Sequence, residues 1–120
     1  MHRVLVIDDN EDAADSLAQL LRLDGHEVEV AYNGMSALAR VRAFRPDVVL
    51  CDLGLPELSG YDVAKALRCE PPCVLRIIAI SGYAQPDDIR RAREAGFDAH
   101  LAKPPDAAQL QSLLGQGAAT

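Results

Sequence analysis

With 120 residues, the chain is long enough for one domain that buries roughly two-thirds of its unfolded surface without disulfides or structural metal, and too short for a second. Hydrophobic residues at 49% and charged residues at 25% exclude a disordered protein, and a net charge of −6 without a basic stripe excludes nonspecific attraction to nucleic acid or anionic lipid. The apolar runs are far shorter than the ~20 residues of a membrane span, and Met1-His2-Arg3 leads directly into the first strand with no signal-peptide core, so the expectation is a cytoplasmic protein with no membrane partner.

Strand-like and helix-like runs alternate throughout, the pattern of an α/β protein with a parallel sheet. Val4 to Ile7 reads as the first strand and stops at Asp8-Asp9. The helix after it carries Ala14, Leu17, Ala18 and Leu21 at the spacing of a buried stripe, with Gly25 as its terminator. Glu27 to Ala31 is the second strand, and Asn33 can cap a helix that turns Ala37, Leu38, Val41 and Phe44 inward. Val48 to Cys51 forms the third strand and stops at Asp52. Pro56 and Gly60 shape the following loop, and Ser59 caps a third helix with Val63, Ala66 and Leu67 inside.

Leu75 to Ile80 is the fourth strand, ending at Ser81. Gln85-Pro86-Asp87-Asp88 opens a fourth helix with proline in the first turn and carboxylates at the positive end of the helix dipole; Gly96 ends it. Phe97 to Ala102 is the fifth strand, ending at Lys103. Asp106 and Gln109 then form a capping-box pattern for a fifth helix that buries Leu110, Leu113 and Leu114, and Gly115 to Thr120 reads as a tail or linker remnant.

Runs one, three and four are almost uninterrupted Val, Ile and Leu, as expected of strands covered on both faces. Runs two and five alternate, as edge strands do. With right-handed crossovers, the order that places two and five outermost is 2-1-3-4-5, a flavodoxin-like, doubly wound (βα)5 fold. Its winding reverses between strands one and three, and ligands in such sheets collect beyond the carboxyl ends of the strands at that reversal.

Cys51 falls inside a strand and reads as a small buried hydrophobe. Cys69 and Cys73 read as two reduced loop cysteines, since no second Cys/His pair completes a zinc site. Arg90, Arg91 and Arg93 cluster on one helix, as a solvated face or a contact surface for a partner.

Asp8, Asp9, Asp52, Ser81 and Lys103 all stand where an apolar run stops, so they converge on one pocket. Carboxylates ~4 Å apart repel by about 1 kcal/mol even at the dielectric of water, and several times that at a protein surface. Hard divalent cations relieve such repulsion, and Mg²⁺ or Mn²⁺ suits one or two carboxylates plus a phosphate oxygen. One aspartate could then attack phosphorus, with the Lys103 ammonium and the Ser81 hydroxyl on the phosphoryl oxygens.

Val6-Ile7-Asp8-Asp9, the stretch from Asp47 to Pro56 followed by Gly60, Ser81-Gly82 and Leu101-Ala102-Lys103-Pro104 occur in an order and spacing that resembles the receiver domain of bacterial two-component response regulators, over essentially the whole chain. The resemblance implies that Asp52 accepts a phosphoryl group from a phosphohistidine on a sensor histidine kinase or phosphotransfer protein. It implies Asp9, Asp8 acting largely through water, Asp52 and the Gly54 carbonyl around Mg²⁺, with Lys103 as the phosphate-binding ammonium and a cis bond before Pro104. Gly54 and Tyr83 would border the pocket and tune hydrolysis. Ser81 would be the switch hydroxyl, and a ring on strand five would turn inward with it.

That ring is Tyr or Phe in much of the family and His100 here, so both a switching imidazole and a solvent-facing edge histidine are compatible with the sequence. Output would pass through the face of helix four, strand five and helix five, to a protein effector or an attached output domain. The Asp52-Leu53-Gly54-Leu55-Pro56 stretch and alanine-rich end are similar to receivers that terminate hybrid sensor kinases. Such a domain is a signalling module rather than an enzyme, catalysing only its own phosphorylation and dephosphorylation.

Two rivals remain on the residues alone. A flavodoxin-like FMN protein shares the strand order but needs a neutral, Gly/Ser/Thr-rich loop after strand one, where this chain has Asp8-Asp9-Asn10-Glu11-Asp12. A phosphohydrolase with an aspartyl nucleophile shares the chemistry but usually places that nucleophile after strand one and adds a cap domain.

Overall fold

The computed structural model describes residues 2–69, 75–82, 85–103 and 107–118. Ten elements alternate along the chain: β1 (Arg3–Ile7), α1 (Glu11–Leu23), β2 (Glu27–Ala31), α2 (Gly34–Phe44), β3 (Val48–Asp52), α3 (Gly60–Cys69), β4 (Arg76–Ser81), α4 (Pro86–Ala95), β5 (Ala99–Ala102) and α5 (Ala107–Ala118). All five strands pair in parallel, in the order β2-β1-β3-β4-β5, the doubly wound arrangement expected from the apolar runs.

Because successive side chains of a strand point to opposite faces, each central strand supplies two cores. Leu5, Ile7, Val49, Cys51, Ile77 and Ala79 pack with Ala37, Val63, Leu67 and Ala92 on the α2, α3 and α4 side. Val4, Val6, Val48, Leu50, Ile78 and Ile80 pack with Ala14, Leu21, Leu110 and Leu114 on the α1 and α5 side. Burying each such Val, Leu or Ile is worth about 1.5–3 kcal/mol, so β1, β3 and β4 form the energetic centre of the fold.

The same alternation sets the direction of every residue that follows a strand. Val4 and Val6 put Asp8 on the α1/α5 side, and Val48 and Leu50 do the same for Asp52. Ile77 and Ala79 put Ser81 on the α3/α4 side; Leu101 belongs to the α1/α5 core, so its neighbour His100 faces α4 with Ser81.

Local chemistry closes the helices. Asn10 caps α1, its side chain accepting the Ala13 N–H at 3.1 Å, and Asn33 caps α2 through the Ser36 N–H at 2.8 Å. Ser59 and Asp62 form a reciprocal capping box on α3, each side chain accepting the other's backbone N–H at 3.3 Å. Gly96 ends α4 with φ 117°, a left-handed conformation that glycine adopts without strain.

Several boundaries differ from the sequence reading. β5 begins at Ala99, because Phe97 is used in the α4-side core and the Asp98 carboxylate accepts the Ile77 N–H at 2.8 Å. Ala64, rather than Ala66, completes the inner face of α3, and Cys69 is the last residue of that helix rather than a loop residue. α5 runs on through Gly115 and Gly117 to Ala118, where a tail was expected; each glycine in a helix costs only about 1 kcal/mol, and the two do not stop it. Cys51 is fully buried, as its strand position implied. The expectations for Cys73, Tyr83, Pro104 and Asp106 fall outside the described residues. No helix among the described residues is long and apolar enough to cross a membrane.

Candidate functional site

The register carries the aspartates together. β1 and β3 pair Ile7 with Cys51, so Asp8 and Asp52 are the next residues on adjacent strands, and such strands run about 4.8 Å apart. Asp8, Asp9 and Asp52 each present a carboxylate oxygen within 4.8 Å of the others, and they form the one such group of potential metal ligands among the described residues. Asp8 and Asp52 are buried and Asp9 is exposed, so the cluster opens to solvent on one side.

Backbone groups hold the buried pair in place. The Asp8 N–H donates to the Ala31 carbonyl at 3.1 Å, and Asp8 Oδ1 accepts the Asn10 N–H at 3.0 Å. Asp52 Oδ1 accepts the Gly54 N–H at 3.2 Å. Gly60 approaches so closely that a methyl group there would lie 2.5 Å from the Asp52 carbonyl oxygen and 2.7 Å from Leu53 Cα. The glycine expected to shape the loop thus lets α3 start directly against the strand end that carries Asp52.

Lys103 reaches the cluster from the end of β5. Its Nζ lies 2.9 Å from Asp8 Oδ2 and 3.4 Å from Asp52 Oδ2, while its backbone N–H donates to the Ser81 carbonyl at 2.8 Å. Burial works against the Lys103 charge, but the hydrogen bond to Asp8 and the charges of Asp52 and Asp8 outweigh it and hold the ammonium above the ordinary lysine range. The Asp52 carboxyl is raised above its ordinary value by burial and the nearby Asp8 charge, against the opposing pull of the Gly54 N–H and Lys103.

Three carboxylates against one ammonium leave two negative charges when all are ionised, concentrated on oxygens of the kind that Mg²⁺ and Mn²⁺ prefer. The donor set therefore fits a hard divalent cation, which Asp8, Asp9 and Asp52 could hold. Gly54 stands at the rim, exposed, its N–H committed to Asp52.

Ser81 and His100 meet one layer away. Ser81 Oγ lies 2.9 Å from His100 Nε2, a contact that links β4 to β5 on the α4 side. Burial lowers the His100 imidazole below the ordinary histidine value, partly offset by the Asp88 charge on α4. Neither this bond nor the Asn10 contacts were read from the sequence. The signal for Asn10 was available, since a short amide side chain directly before Glu11-Asp12 is a helix N-cap pattern. Of the arginines on α4, Arg91 stacks on the Tyr61 ring at 4.4 Å and Arg90 pairs with Asp87 at 3.1 Å.

A family model described as the response regulator receiver domain matches residues 4–115. The transcriptional regulatory protein PrrA of Mycobacterium leprae is 42% identical over 106 residues, covering 85% of this chain and 43% of that protein. The polar-differentiation response regulator DivK of Brucella anthropi is 34% identical over 102 residues, covering 84% of this chain and 83% of DivK. Among solved structures, the chemotaxis protein CheY4 of Vibrio cholerae superposes with a TM-score of 0.90 at 27% identity, over 97% of this chain and 98% of that one. The chain spans less than half the length of several curated relatives, PrrA among them. The FMN and phosphohydrolase readings draw no support from these likenesses.

Proposed function

The chain belongs to the response regulator receiver domain family, and from that membership we propose that Asp52 is its phosphoacceptor, charged by a phosphohistidine donor. The observation that carries the proposal is the cluster of Asp8, Asp9 and Asp52 with a single ammonium, Lys103, against it. A purely structural salt bridge would need one carboxylate. The surplus acidity, open on the Asp9 side, suits a cation and a phosphoryl group arriving together.

In the transfer, a carboxylate oxygen of Asp52 forms a bond to phosphorus as the phosphorus–nitrogen bond of the donor breaks, its electron pair returning to the donor imidazole. The product is a mixed anhydride on Asp52, later cleaved when water attacks phosphorus and the carboxylate leaves. The Gly54 N–H fixes the carboxylate plane, Lys103 supplies a positive charge for the phosphoryl oxygens, and the Ser81 hydroxyl donates one hydrogen bond to them. Asp8, Asp9, Asp52 and the Gly54 carbonyl would hold Mg²⁺ or Mn²⁺, which when bound shields the charges of nucleophile and phosphoryl group from each other.

The donor class is a sensor histidine kinase or a histidine phosphotransfer protein, and the readout is a protein effector or an attached output domain, all in the cytoplasm. Incubation with Mg²⁺ and a small acyl phosphate tests the proposal: intact mass should gain one phosphoryl group, lost in Asp52→Asn and in chelated samples. Multiple turnover of phosphate esters, or a phosphoryl group retained in Asp52→Asn, overturns it.

A further inference from the structure

We infer that His100 is a positioning residue of the switch: in the resting chain its imidazole holds the Ser81 hydroxyl by a direct hydrogen bond, and phosphoryl binding on Asp52 proceeds by exchanging that bond for one from Ser81 to a phosphoryl oxygen. The inference rests on the phosphoacceptor reading of Asp52.

A serine hydroxyl has one proton to give. When His100 is neutral with its proton on Nδ1, Nε2 accepts from Ser81 at 2.9 Å and that proton is withheld from the phosphoryl site. A phenyl ring at this position could fill space but could not compete for the hydroxyl. When the imidazole is protonated, Nε2–H must itself donate to Ser81 Oγ, and the serine proton is released to point elsewhere. Histidine thus makes the release of Ser81 depend on imidazole protonation, where an apolar ring would make it a matter of packing alone.

The surroundings set the direction. Asp88 on α4 favours the charged imidazole. Arg93, also on α4, and Asp98, paired with Arg68 of α3 at 2.6 Å, line a cavity of about 50 Å³ beside His100, together with Ile89 and Phe97. On the β4 side the facing group is Ser81 itself. Lys103, past the end of β5, is engaged with Asp8 and Asp52, and α5 carries no ionisable side chain. Burial outweighs Asp88, so His100 is neutral at and above neutral pH and holds the hydroxyl there; the hold loosens as pH falls through its lowered midpoint. By reciprocity, a phosphoryl group that draws Ser81 away changes the affinity of His100 for its proton.

The test follows the imidazole ¹⁵N resonances of the whole chain against pH, with Mg²⁺ alone and with Mg²⁺ plus beryllofluoride as the phosphoryl mimic. In the free chain, Ser81→Ala should move the His100 midpoint; with beryllofluoride on Asp52, wild type and Ser81→Ala should coincide. Beryllofluoride affinity of wild type should match His100→Phe below the His100 midpoint read in the same titration and fall below it by about threefold near pH 8, the worth of one neutral hydrogen bond. Equal His100 midpoints in free wild type and Ser81→Ala, or an adduct that leaves His100 unmoved, overturns the exchange while leaving the phosphoacceptor reading intact. Failure of both beryllofluoride and acyl phosphate to mark Asp52 overturns that reading and the exchange with it.

Discussion

Lys103 sits closer to Asp8 than to Asp52, with Nζ 2.9 Å from the first carboxylate and 3.4 Å from the second. In the resting site its ammonium therefore occupies the oxygens a cation would use. Removing it, as in Lys103→Met, takes away a competing charge within 4 Å. Mg²⁺ affinity should rise by about tenfold, a change of ~1.4 kcal/mol that lies between the aqueous and surface limits for one charge at that distance. Calorimetric titration measures it. The same variant should gain its phosphoryl group from acyl phosphate more slowly than wild type, because the oxygens in flight lose their positive partner.

Asp52 makes stability depend on pH. Its carboxyl is raised above 3.8 in the fold, chiefly by burial, so the folded chain binds that proton more tightly than the unfolded chain. The favourable contribution is present below the unfolded value and disappears as pH rises through the raised folded value; above it the ionised carboxylate is a burden. Asp52→Asn should accordingly stabilise the metal-free chain at neutral pH, with the gain vanishing in acid below the ordinary carboxylate value. Thermal melts in chelator across pH measure this. Saturating Mg²⁺ should reverse the order, since wild type then gains the binding energy that the variant lacks.

The legible part of this molecule is the part that periodicity and strand ends determine. Uninterrupted runs at Val4, Val48 and Ile77 against alternating Glu27 and Ala99 strands separate centre from edge, and the strand order follows. The convergence of Asp8, Asp52 and Lys103 was readable for the same reason, since each is the polar residue at a strand's end. What depends on register and reach was not. The Ser81–His100 bond requires Ser81 opposite Ala102 and both side chains on the α4 face, which no single run of residues displays. The start of β5 was misplaced because Phe97-Asp98 alternates like a strand while its carboxylate serves the neighbouring strand's Ile77 N–H.

Asn10 joins the site to its first helix. Its backbone N–H donates to Asp8 Oδ1, and its side chain accepts the Ala13 N–H. Asn10→Ala removes only the second contact. Loss of such a cap costs about 1 kcal/mol, so the urea midpoint should fall with its slope unchanged while Mg²⁺ affinity stays within twofold, roughly the scatter expected when Asp8 keeps its backbone donor.

Gly60 is where fold and site are least separable. It opens α3, where alanine would ordinarily be better than glycine by about 1 kcal/mol. Here the added methyl would meet the Asp52 carbonyl oxygen at 2.5 Å and Leu53 Cα at 2.7 Å, both backbone atoms that cannot rotate away. Relief requires moving the end of β3 or the start of α3, and overpacking of this kind costs about 1–3 kcal/mol. Gly60→Ala should therefore destabilise the chain despite the helix propensity it adds, and should slow phosphorylation of Asp52 as well. Gly54→Ala provides the contrast, because its methyl would find only Asp52 Oδ1, at 3.9 Å. That variant should keep its unfolding free energy within about 0.5 kcal/mol of wild type, the range of an unstrained surface change. Chemical denaturation of the two variants side by side separates a steric demand at Gly60 from a general dislike of alanine near the site.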